Sequence, residues 1–345
     1  MDLPFPPVWL RDNCPCPHCL DPGSGQKLHT VGELDAGLAV TEARAGGDGS
    51  VAVAFSDGHR SVFALDWLAA HEAADLDGDG RTERGKELWD RVEPPDAAWA
   101  EFEADPGPLL RHVWRTGFAL VRGAPAEPGT VLRVARAFGH VRTTNYGELF
   151  DVRVEPDPGN LAFTARAIAP HTDNPYRDPV PTLQLLHCLR DAAEGGESGL
   201  VDGFRAAVLL REQHPGHFRR LSETPVTFAW GRLRAQRPMI GVDEAGRIRE
   251  IRFNNRSLRP LAGREDELAA FYAAYRAFDA LLNRPGAMVT CKLAPGDCLI
   301  FDNTRVLHAR TAFAEATGSW DRHLQGCYAD LDSVQWITAP PVVAN

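Results

Sequence analysis

The sequence predicts a mainly β fold, in which a β-sandwich or jelly-roll core is flanked by helices. After about residue 160, short apolar strands alternate with turns, and only a helix from Glu265 to Leu282 interrupts them. Earlier in the chain, apolar spacing predicts helices over Ala97 to Arg115 and over Thr130 to Phe138, with a strand at 118–121 between them. Many short strands with few long helices favour two facing sheets.

A smaller β-rich region precedes this core. Val51 to Phe55 and Ser61 to Leu65 flank a short polar turn that contains His59, a pattern typical of a β-hairpin. The following residues, to about position 95, are polar and charged, as in a linker. The chain has 345 residues, enough for two domains. We therefore predict a small domain over 1–75, a linker over 76–95 and a large domain over 96–345.

The composition argues against several classes of partner. The formal net charge is −10, whereas nucleic-acid-binding proteins usually carry a basic excess. No run of about 18 apolar residues predicts a membrane span, and the first residues lack the features of a secretion signal. Seven cysteines, three of them crowded together, favour metal binding in a reducing compartment over disulfides. We expect a cytoplasmic protein with neither nucleic acid nor membrane as a partner.

Two distant segments carry side chains that can bind one metal ion. His171 and Asp173 are two positions apart, so in an extended segment they point to the same side. His308 follows a strand and turn that end at Asn303. Two histidines and one carboxylate on one face of a metal leave the opposite positions open, which is the ligand set of non-haem Fe(II) oxygenases. Arg322 lies shortly after His308, and a buried arginine needs an anion such as a dicarboxylic acid.

A second group of metal-binding side chains lies near the N-terminus. Cys14, Cys16 and Cys19 offer three thiolates at tight spacing, and His59 in the hairpin turn is a candidate fourth ligand. A Cys3His set closed around Zn²⁺ is structural, because it leaves no coordination position for water. The alternative is that these residues are reduced thiols without a metal.

The chain resembles the γ-butyrobetaine hydroxylase group of Fe(II)- and 2-oxoglutarate-dependent dioxygenases, within the wider taurine-dioxygenase-like family. The resemblance covers nearly the whole chain, and the motifs that carry it are Trp9 to Cys16, His171 to Asp173, Leu185 to Cys188, Gly195 to Ser198, Val201 to Phe204, Phe301 to Asn303, and Arg322 to Asp330. It implies a distorted double-stranded β-helix, a small N-terminal zinc domain and a homodimer. Family members usually have about one more hairpin before the first of these motifs, so we expect either a shortened zinc domain or a start further upstream.

The resemblance also implies the cofactors and the residues that bind them. Fe(II) is held by His171, Asp173 and His308, with O2 as oxidant and ascorbate as reductant. Arg322 pairs with the distal carboxylate of 2-oxoglutarate, and Ser198 adds a hydrogen bond. Structural Zn²⁺ is held by the four residues Cys14, Cys16, Cys19 and His59.

Four aromatic residues fall where the related hydroxylases place a cage for a trimethylammonium group: Tyr146, Phe150, Phe163 and Tyr328. A quaternary ammonium has no N–H to donate, so aromatic faces recognise it through cation–π attraction. Phe150 and Phe163 could instead be ordinary core residues.

Three further residues are candidates for binding the anionic end of the substrate. Asn160 and Asn255 match family positions that hold a carboxylate, although asparagine is also common in turns. Arg166 departs from the family pattern and adds a cation near the expected pocket mouth, unless it is a surface side chain.

The function that these residues predict is hydroxylation of a small quaternary ammonium substrate, with γ-butyrobetaine to carnitine as the leading reaction. Hydroxylation of 2-trimethylaminoethylphosphonate is the alternative that Arg166 and the two phenylalanines would permit. Trimethyllysine is less favoured, because its amino group would need an acidic partner. An alternative of another class is a catalytically inactive metal-binding module, which is disfavoured because every ligand and Arg322 are present.

Overall fold

The structure is a computed structural model that describes residues 4–72, 82, 85–159, 161–191, 194–313 and 322–338. The chain forms two compact units that divide between residues 77 and 78. None of the described helices is both long enough and apolar enough to cross a membrane.

The N-terminal unit is built on a three-stranded antiparallel sheet, in which β2 lies between β1 and β3. Alternate residues of β2 face inward and pack with Leu10 and Phe63 in a small core. The predicted hairpin is confirmed, with His59 in the turn between β2 and β3. The elements of this unit are α1 (Pro7–Asp12), β1 (Val40–Ala45), β2 (Ser50–Phe55), β3 (Arg60–Ala64) and α2 (Leu65–Glu72).

The second unit contains the remaining helices and strands. In chain order they are β4 (Asp96–Ala98), α3 (Trp99–Ala104), α4 (Gly107–Thr116), β5 (Phe118–Arg122), α5 (Thr130–Arg136), β6 (Phe150–Arg153), β7 (Ile168–His171), β8 (Leu183–Arg190), β9 (Ser198–Asp202), α6 (Gly203–Gln213), α7 (Pro215–Glu223), β10 (Val226–Trp230), β11 (Leu233–Arg237), β12 (Ile240–Val242), β13 (Ile248–Ile251), α8 (Glu265–Leu282), β14 (Met288–Cys291), β15 (Cys298–Asp302), β16 (Val306–Arg310), β17 (His323–Ala329) and α9 (Leu331–Thr338).

Two sheets form the core of this unit, as expected for a distorted double-stranded β-helix. The larger sheet has the strand order β4-β5-β15-β8-β17-β6, and the smaller one has the order β14-β9-β16-β7. All pairings within them are antiparallel except that of β4 with β5. The predicted fold class, mainly β with flanking helices, is therefore confirmed.

Three clusters of buried side chains hold the unit together. One cluster, which includes Phe118, Leu200, Phe301 and Leu324, contains residues of both sheets. A second cluster joins the larger sheet to the helices α3, α4, α5 and α9, and a third joins α6, α7 and α8 to the hairpins β10–β11 and β12–β13. At about 25 cal/mol for each Å² of apolar surface removed from water, this burial is the main favourable term in folding.

Two helices that the sequence did not predict follow β9. The side chain of Asp202 accepts hydrogen bonds from the backbone N–H groups of Phe204 (3.0 Å) and Arg205 (3.3 Å), and so caps the start of α6. Pro215 begins α7, where its missing N–H costs no helical hydrogen bond. The expectation that only strands and turns lie between about 160 and 265 is wrong for this stretch.

Two further expectations need correction. The helix predicted over 97–115 is two helices, since α3 ends before Asp105 and α4 begins after Pro106. The predicted linker over 76–95 is too long at its C-terminal end, because Trp89 is buried and its backbone N–H donates to Asp202. Residues 85–95 therefore pack as part of the second unit.

A fully buried ion pair connects several of these elements. Arg305, at the start of β16, donates to both carboxylate oxygens of Asp202 at 3.1 and 2.8 Å, and neither side chain is exposed. The same guanidinium donates to the backbone carbonyls of Arg115 and Glu87. The carboxylate of Asp202 thus receives hydrogen bonds from β16, from α6 and from the segment before β4.

Replacing Asp202 with alanine should lower the free energy of unfolding by about 3–5 kcal/mol, because the charge of Arg305 stays buried without a counter-ion. Urea unfolding followed by circular dichroism measures this change. Glu103→Ala breaks an exposed pair with Arg133 and should cost less than about 1 kcal/mol. Equal losses in the two variants would show that the buried pair has no special structural role.

Candidate active site

The structure brings His171, Asp173 and His308 together at one point. Their ligand atoms all lie within 4.8 Å of one another. Asp173 Oδ1 is 3.4 Å from His171 Nε2, and Asp173 Oδ2 is 3.8 Å from His308 Nε2. Two imidazoles and one carboxylate at these separations fit a first-row divalent metal bound on one face.

Strand pairing places the two histidines opposite each other. His171 ends β7 and is the register partner of His308 on β16, and their ring centroids are 4.1 Å apart. Directly opposed residues on neighbouring strands point to the same face of a sheet. Both imidazoles therefore reach the same point although 136 residues separate them in sequence.

Asn303 fixes the backbone at the third ligand. Its Oδ1 accepts from the Asp173 N–H at 2.7 Å, and its Nδ2 donates to the Asp173 carbonyl at 3.0 Å and to the Pro181 carbonyl at 2.9 Å. Asn303 is itself 1% exposed. The conformation of the segment after His171 is thus held by a side chain that follows β15.

The carboxylate of Asp173 is oriented by two side-chain donors. Tyr328 Oη and Gln184 Nε2 each donate to Asp173 Oδ2 at 3.0 Å. Burial alone would raise the pKa of this carboxyl, but His308, His171 and the Tyr328 hydroxyl together lower it well below its ordinary value. The group is therefore a carboxylate, as a metal ligand must be.

His308 has the protonation that metal binding requires, and a hydrogen bond orients the ring of His171. Burial, together with the neighbouring His171, lowers the pKa of His308 to about 3, so its ring is neutral near pH 7. His171 Nδ1 lies 2.9 Å from the Ala169 carbonyl, and a hydrogen bond there assigns the proton to Nδ1. That tautomer leaves the lone pair of His171 Nε2 directed to the metal site.

Arg322 is a buried cation with unused hydrogen-bonding capacity. It is 6% exposed and donates from Nη2 to the Gly196 carbonyl at 3.2 Å, while its Nε has no partner among the described residues. Burial lowers the pKa of its guanidinium. A Cβ at position 196, where φ is +73°, would lie 2.9 Å from Arg322 Nε, so glycine permits this close approach. The donor set fits the carboxylate of a small dicarboxylic acid.

A second buried arginine, Arg310, was missed by the sequence analysis. It lines the same cavity, and it donates to four backbone carbonyls between Leu161 and Arg166, including that of Ala162 at 3.0 Å. Burial, and then the charge of Arg322, lowers its pKa to about 10. The sequence did contain a signal for Arg310. Side chains two positions apart on a strand point to the same face, so Arg310 shares the face of His308.

One cavity of about 330 Å³ contains the metal-binding group and both arginines. Ser198 also lines it, directly opposite Arg310 in the pairing of β9 with β16. Its walls include predicted and unpredicted side chains: Tyr146, Phe150, Leu161, Phe163, Asn174, Tyr176, Leu186, Trp230, Asn254 and Arg256.

Aromatic rings form a continuous wall beside Asp173. The ring of Phe150 lies 6.2 Å from that of Tyr146 and 5.1 Å from that of Tyr328. Tyr176, which the sequence analysis did not select, shares a hydrogen bond of 3.3 Å with the Tyr146 hydroxyl. Gly326 faces Phe150 across the β6–β17 pair, where a Cβ would come within 2.4 Å of the ring. The predicted Phe163 lines the cavity from a separate short segment, 161–163.

The structure describes two of the three residues predicted to bind the anionic end of the substrate. Asn160 lies outside the described residues. Asn255 is exposed and does not line the cavity, whereas its neighbour Asn254 does. Arg166 is exposed and lines a shallow depression beside the cavity rather than the cavity itself. A third arginine that lines the cavity, with Arg310 and Arg322, is Arg256, for which no local sequence pattern gave a signal.

The N-terminal unit contains the second group of candidate metal ligands. His59 Nε2 lies 3.2 Å from Cys14 Sγ and 3.6 Å from the sulfurs of Cys16 and Cys19. A tetrahedral zinc site with ordinary bond lengths separates such ligand atoms by about 3.6 Å. Arg11 Nη1 lies 3.2 Å from Cys19 Sγ, where its charge favours the thiolate. The set therefore fits a closed, structural zinc site.

Two family models cover most of the chain. The model described as "Taurine catabolism dioxygenase TauD, TfdA family" matches residues 85–328. The model described as "Gamma-butyrobetaine hydroxylase-like, N-terminal" matches residues 2–69. The family resemblance inferred from sequence motifs is thus confirmed.

Similar proteins match over nearly the full length. A γ-butyrobetaine dioxygenase from Pseudomonas sp. (strain AK-1) is 37% identical, and the match covers 96% of this chain and 88% of that protein. The Homo sapiens γ-butyrobetaine dioxygenase is 31% identical, with 96% and 89% covered. A trimethyllysine dioxygenase from Rattus norvegicus is 29% identical, with 96% and 81% covered.

Solved structures agree on the fold. The non-heme iron oxygenase OrfP, in complex with Fe, succinate and (3S)-hydroxy-L-Arg, superposes with a TM-score of 0.53 at 13% identity, covering 74% of this chain and 99% of that one. The fold, the converging ligand sets and the full-length matches lead to one assignment. The chain belongs to the taurine catabolism dioxygenase TauD, TfdA family, and it is an Fe(II)- and 2-oxoglutarate-dependent dioxygenase.

Proposed function

We propose that this enzyme hydroxylates γ-butyrobetaine to carnitine. The observation that carries the proposal is the aromatic wall of Tyr146, Phe150, Tyr176 and Tyr328 in the same cavity as the metal ligands. Such rings suit a trimethylammonium group, which offers charge but no hydrogen-bond donor. The full-length similarity to γ-butyrobetaine dioxygenases supports the same substrate.

Each residue of the metal site has a distinct task in this proposal. His171, Asp173 and His308 would hold Fe(II), while Tyr328 and Gln184 keep one oxygen of Asp173 engaged and so set the direction of the other. When bound with 2-oxoglutarate, iron supplies the oxidising chemistry by which O2 converts a C–H of the substrate to C–OH and 2-oxoglutarate to succinate and CO2.

Arg322 would bind the distal carboxylate of 2-oxoglutarate. Its buried position strengthens a charge-assisted hydrogen bond, because little water competes for the guanidinium. Ser198, 6% exposed on β9, would add a hydroxyl donor. Arg310 adds positive charge nearby, which further favours a dianionic co-substrate.

The aromatic wall would decide which carbon of the substrate is oxidised. Tyr328 contacts both the wall and Asp173, so a trimethylammonium group held by the rings lies at a fixed distance from the metal ligands. Apolar side chains such as Leu186 and Leu324 complete the lining and exclude water from this part of the cavity. Regiochemistry then follows from positioning rather than from the reactivity of the individual C–H bonds.

The alternatives have less support. Hydroxylation of 2-trimethylaminoethylphosphonate depended on Arg166 and on the two phenylalanines; Phe150 and Phe163 line the cavity, but Arg166 does not. An inactive metal-binding module is hard to reconcile with three converging ligands and a buried arginine beside them. The homodimer implied by the family and the cytoplasmic location stay predictions.

With Fe(II), ascorbate and 2-oxoglutarate, γ-butyrobetaine should stimulate succinate formation and yield a product 16 mass units heavier, roughly the mass of one inserted oxygen atom. Mass spectrometry of the reaction with γ-butyrobetaine, the phosphonate analogue and trimethyllysine measures the preference. A higher kcat/KM for either of the other two compounds would contradict the proposed substrate.

Replacing Arg322 with methionine should raise the KM for 2-oxoglutarate by about 10- to 150-fold, since the loss of a hydrogen bond to a charged group is worth about 1.5–3 kcal/mol. The KM for γ-butyrobetaine should change much less. Arg153→Met, at an exposed arginine on β6, is the matched control and should leave both constants unchanged. An unaltered 2-oxoglutarate KM in Arg322→Met would refute the assigned role.

Cys16→Ser should remove close to one equivalent of zinc while the protein still binds iron, because the two ligand sets share no residue. Metal analysis by inductively coupled plasma mass spectrometry after anaerobic iron loading measures both contents. Cys291→Ala, at a thiol outside both sets, should retain both metals. Full zinc occupancy in Cys16→Ser would remove the zinc assignment.

A further inference from the structure

The cavity contains a buried carboxamide that no protein group satisfies. Asn174 is 3% exposed and lines the cavity, and neither its Nδ2 nor its Oδ1 has a hydrogen-bond partner among the described residues. Because both atoms are unpartnered, the observation holds for either orientation of the amide. Leaving a buried polar group unpaired is unfavourable, so native structures rarely do so without a ligand or water at the site.

The backbone at Asn174 holds this side chain in an uncommon conformation. Its φ is +54°, in the left-handed region, and it is the only non-glycine residue with positive φ in the part of the chain that the structure describes. Its carbonyl accepts from the Arg177 N–H at 3.0 Å, which closes a turn directly after Asp173. Asparagine tolerates this conformation better than most residues, and such conformations concentrate at ligand sites.

Other amides near the cavity are already occupied. Asn254 donates to the Thr172 carbonyl at 3.0 Å and accepts from the Arg256 backbone N–H at 3.2 Å. Asn303 holds the backbone of Asp173 with both of its amide atoms. Gln184 donates from Nε2 to the Asp173 carboxylate, and its Oε1 has no partner among the described residues. Among these described amides, Asn174 is therefore the one whose nitrogen makes no hydrogen bond.

The charge of the cavity wall favours an anion at such a donor. Arg256 lines the same cavity, and it has no salt bridge to a carboxylate among the described residues. Its side-chain contact is Nε to Asn254 Oδ1 at 3.4 Å. A guanidinium that is not neutralised by an acidic side chain raises the local positive potential.

We propose that Asn174 binds the substrate, donating a hydrogen bond from Nδ2 to the substrate carboxylate in a cavity to which Arg256 contributes positive charge. This inference rests on the proposed function, because it assumes a substrate with a carboxylate opposite its trimethylammonium group. Asn174 then takes a role that the sequence analysis gave to Asn255, which is exposed and does not line the cavity. It makes the residue next to the metal ligand Asp173 a determinant of specificity.

The test compares γ-butyrobetaine with its neutral primary amide, which has the same trimethylammonium end but no carboxylate. Asn174→Asp keeps the size of the side chain and replaces the donor with a negative charge. Asn174→Gly removes the side chain and adopts positive φ without strain. Asn255→Asp makes the same change in charge at an exposed position outside the cavity. Affinities are measured by calorimetry on the anaerobic enzyme with Fe(II) and 2-oxoglutarate, and turnover is measured in air.

Asn174→Asp should weaken binding of γ-butyrobetaine by more than about 10-fold and of the neutral amide by less than about threefold, because only the carboxylate is repelled. Asn174→Gly should weaken γ-butyrobetaine binding by about 10-fold through loss of the hydrogen bond. Affinity for 2-oxoglutarate should not change, and Asn255→Asp should match the wild type for both ligands.

Equal losses for the two ligands in Asn174→Asp, or wild-type affinity in Asn174→Gly, would overturn the assignment of Asn174. If the wild-type enzyme converts γ-butyrobetaine, either result overturns this inference alone and leaves the proposed function intact. If the wild-type enzyme neither binds nor converts γ-butyrobetaine, the proposed function fails and the inference fails with it. Thermal unfolding of each variant separates a local effect on binding from loss of the fold.

Discussion

The register between β7 and β16 is the constraint on which the catalytic centre depends. It places His171 and His308 opposite each other on neighbouring strands. Two ligands from distant parts of the chain therefore meet through strand pairing. A shift of β16 by one residue would turn His308 to the other face of the sheet, away from His171. The pairing of β16 with β9 and the buried ion pair of Arg305 with Asp202 at its start hold β16 in place. The two histidine ligands thus both belong to the smaller sheet, whereas Asp173 follows directly after it.

Two arginines bring positive charge into the cavity that contains the metal ligands. Arg310 and Arg322 are both buried, and their guanidiniums lie 5.2 and 5.4 Å from the ring of Phe313. Their described hydrogen bonds go to backbone carbonyls rather than to carboxylates. Burying a charge without a counter-ion is unfavourable, and a bound dianion offsets that cost. We therefore expect co-substrate binding to stabilise the fold as well as to prepare the site.

The residues whose role depends on local spacing could be predicted from sequence. Short-range patterns predicted the His171 and Asp173 pair, the three clustered cysteines, the hairpin turn that contains His59, and the helix α8. What sequence could not supply were facts set by distant contacts. Trp89 is buried, and its backbone N–H donates to Asp202. The sequence of residues 76–95 does not reveal this contact with a strand more than 100 residues away. In the turn after β13, adjacent asparagines point to different surroundings, so a likeness to a family position could not distinguish Asn254 from Asn255.

The contacts of Arg310 have a consequence for which side chains of the cavity wall this protein could exchange. Arg310 donates hydrogen bonds to the 161–166 segment only through backbone carbonyl oxygens. Every amino acid has such a carbonyl, so these hydrogen bonds do not depend on the side chains of the segment. Substitution of Leu161 or Phe163, which line the cavity, would therefore leave these acceptors in place. One wall of the cavity could be exchanged in this way without altering the iron ligands on the neighbouring strands.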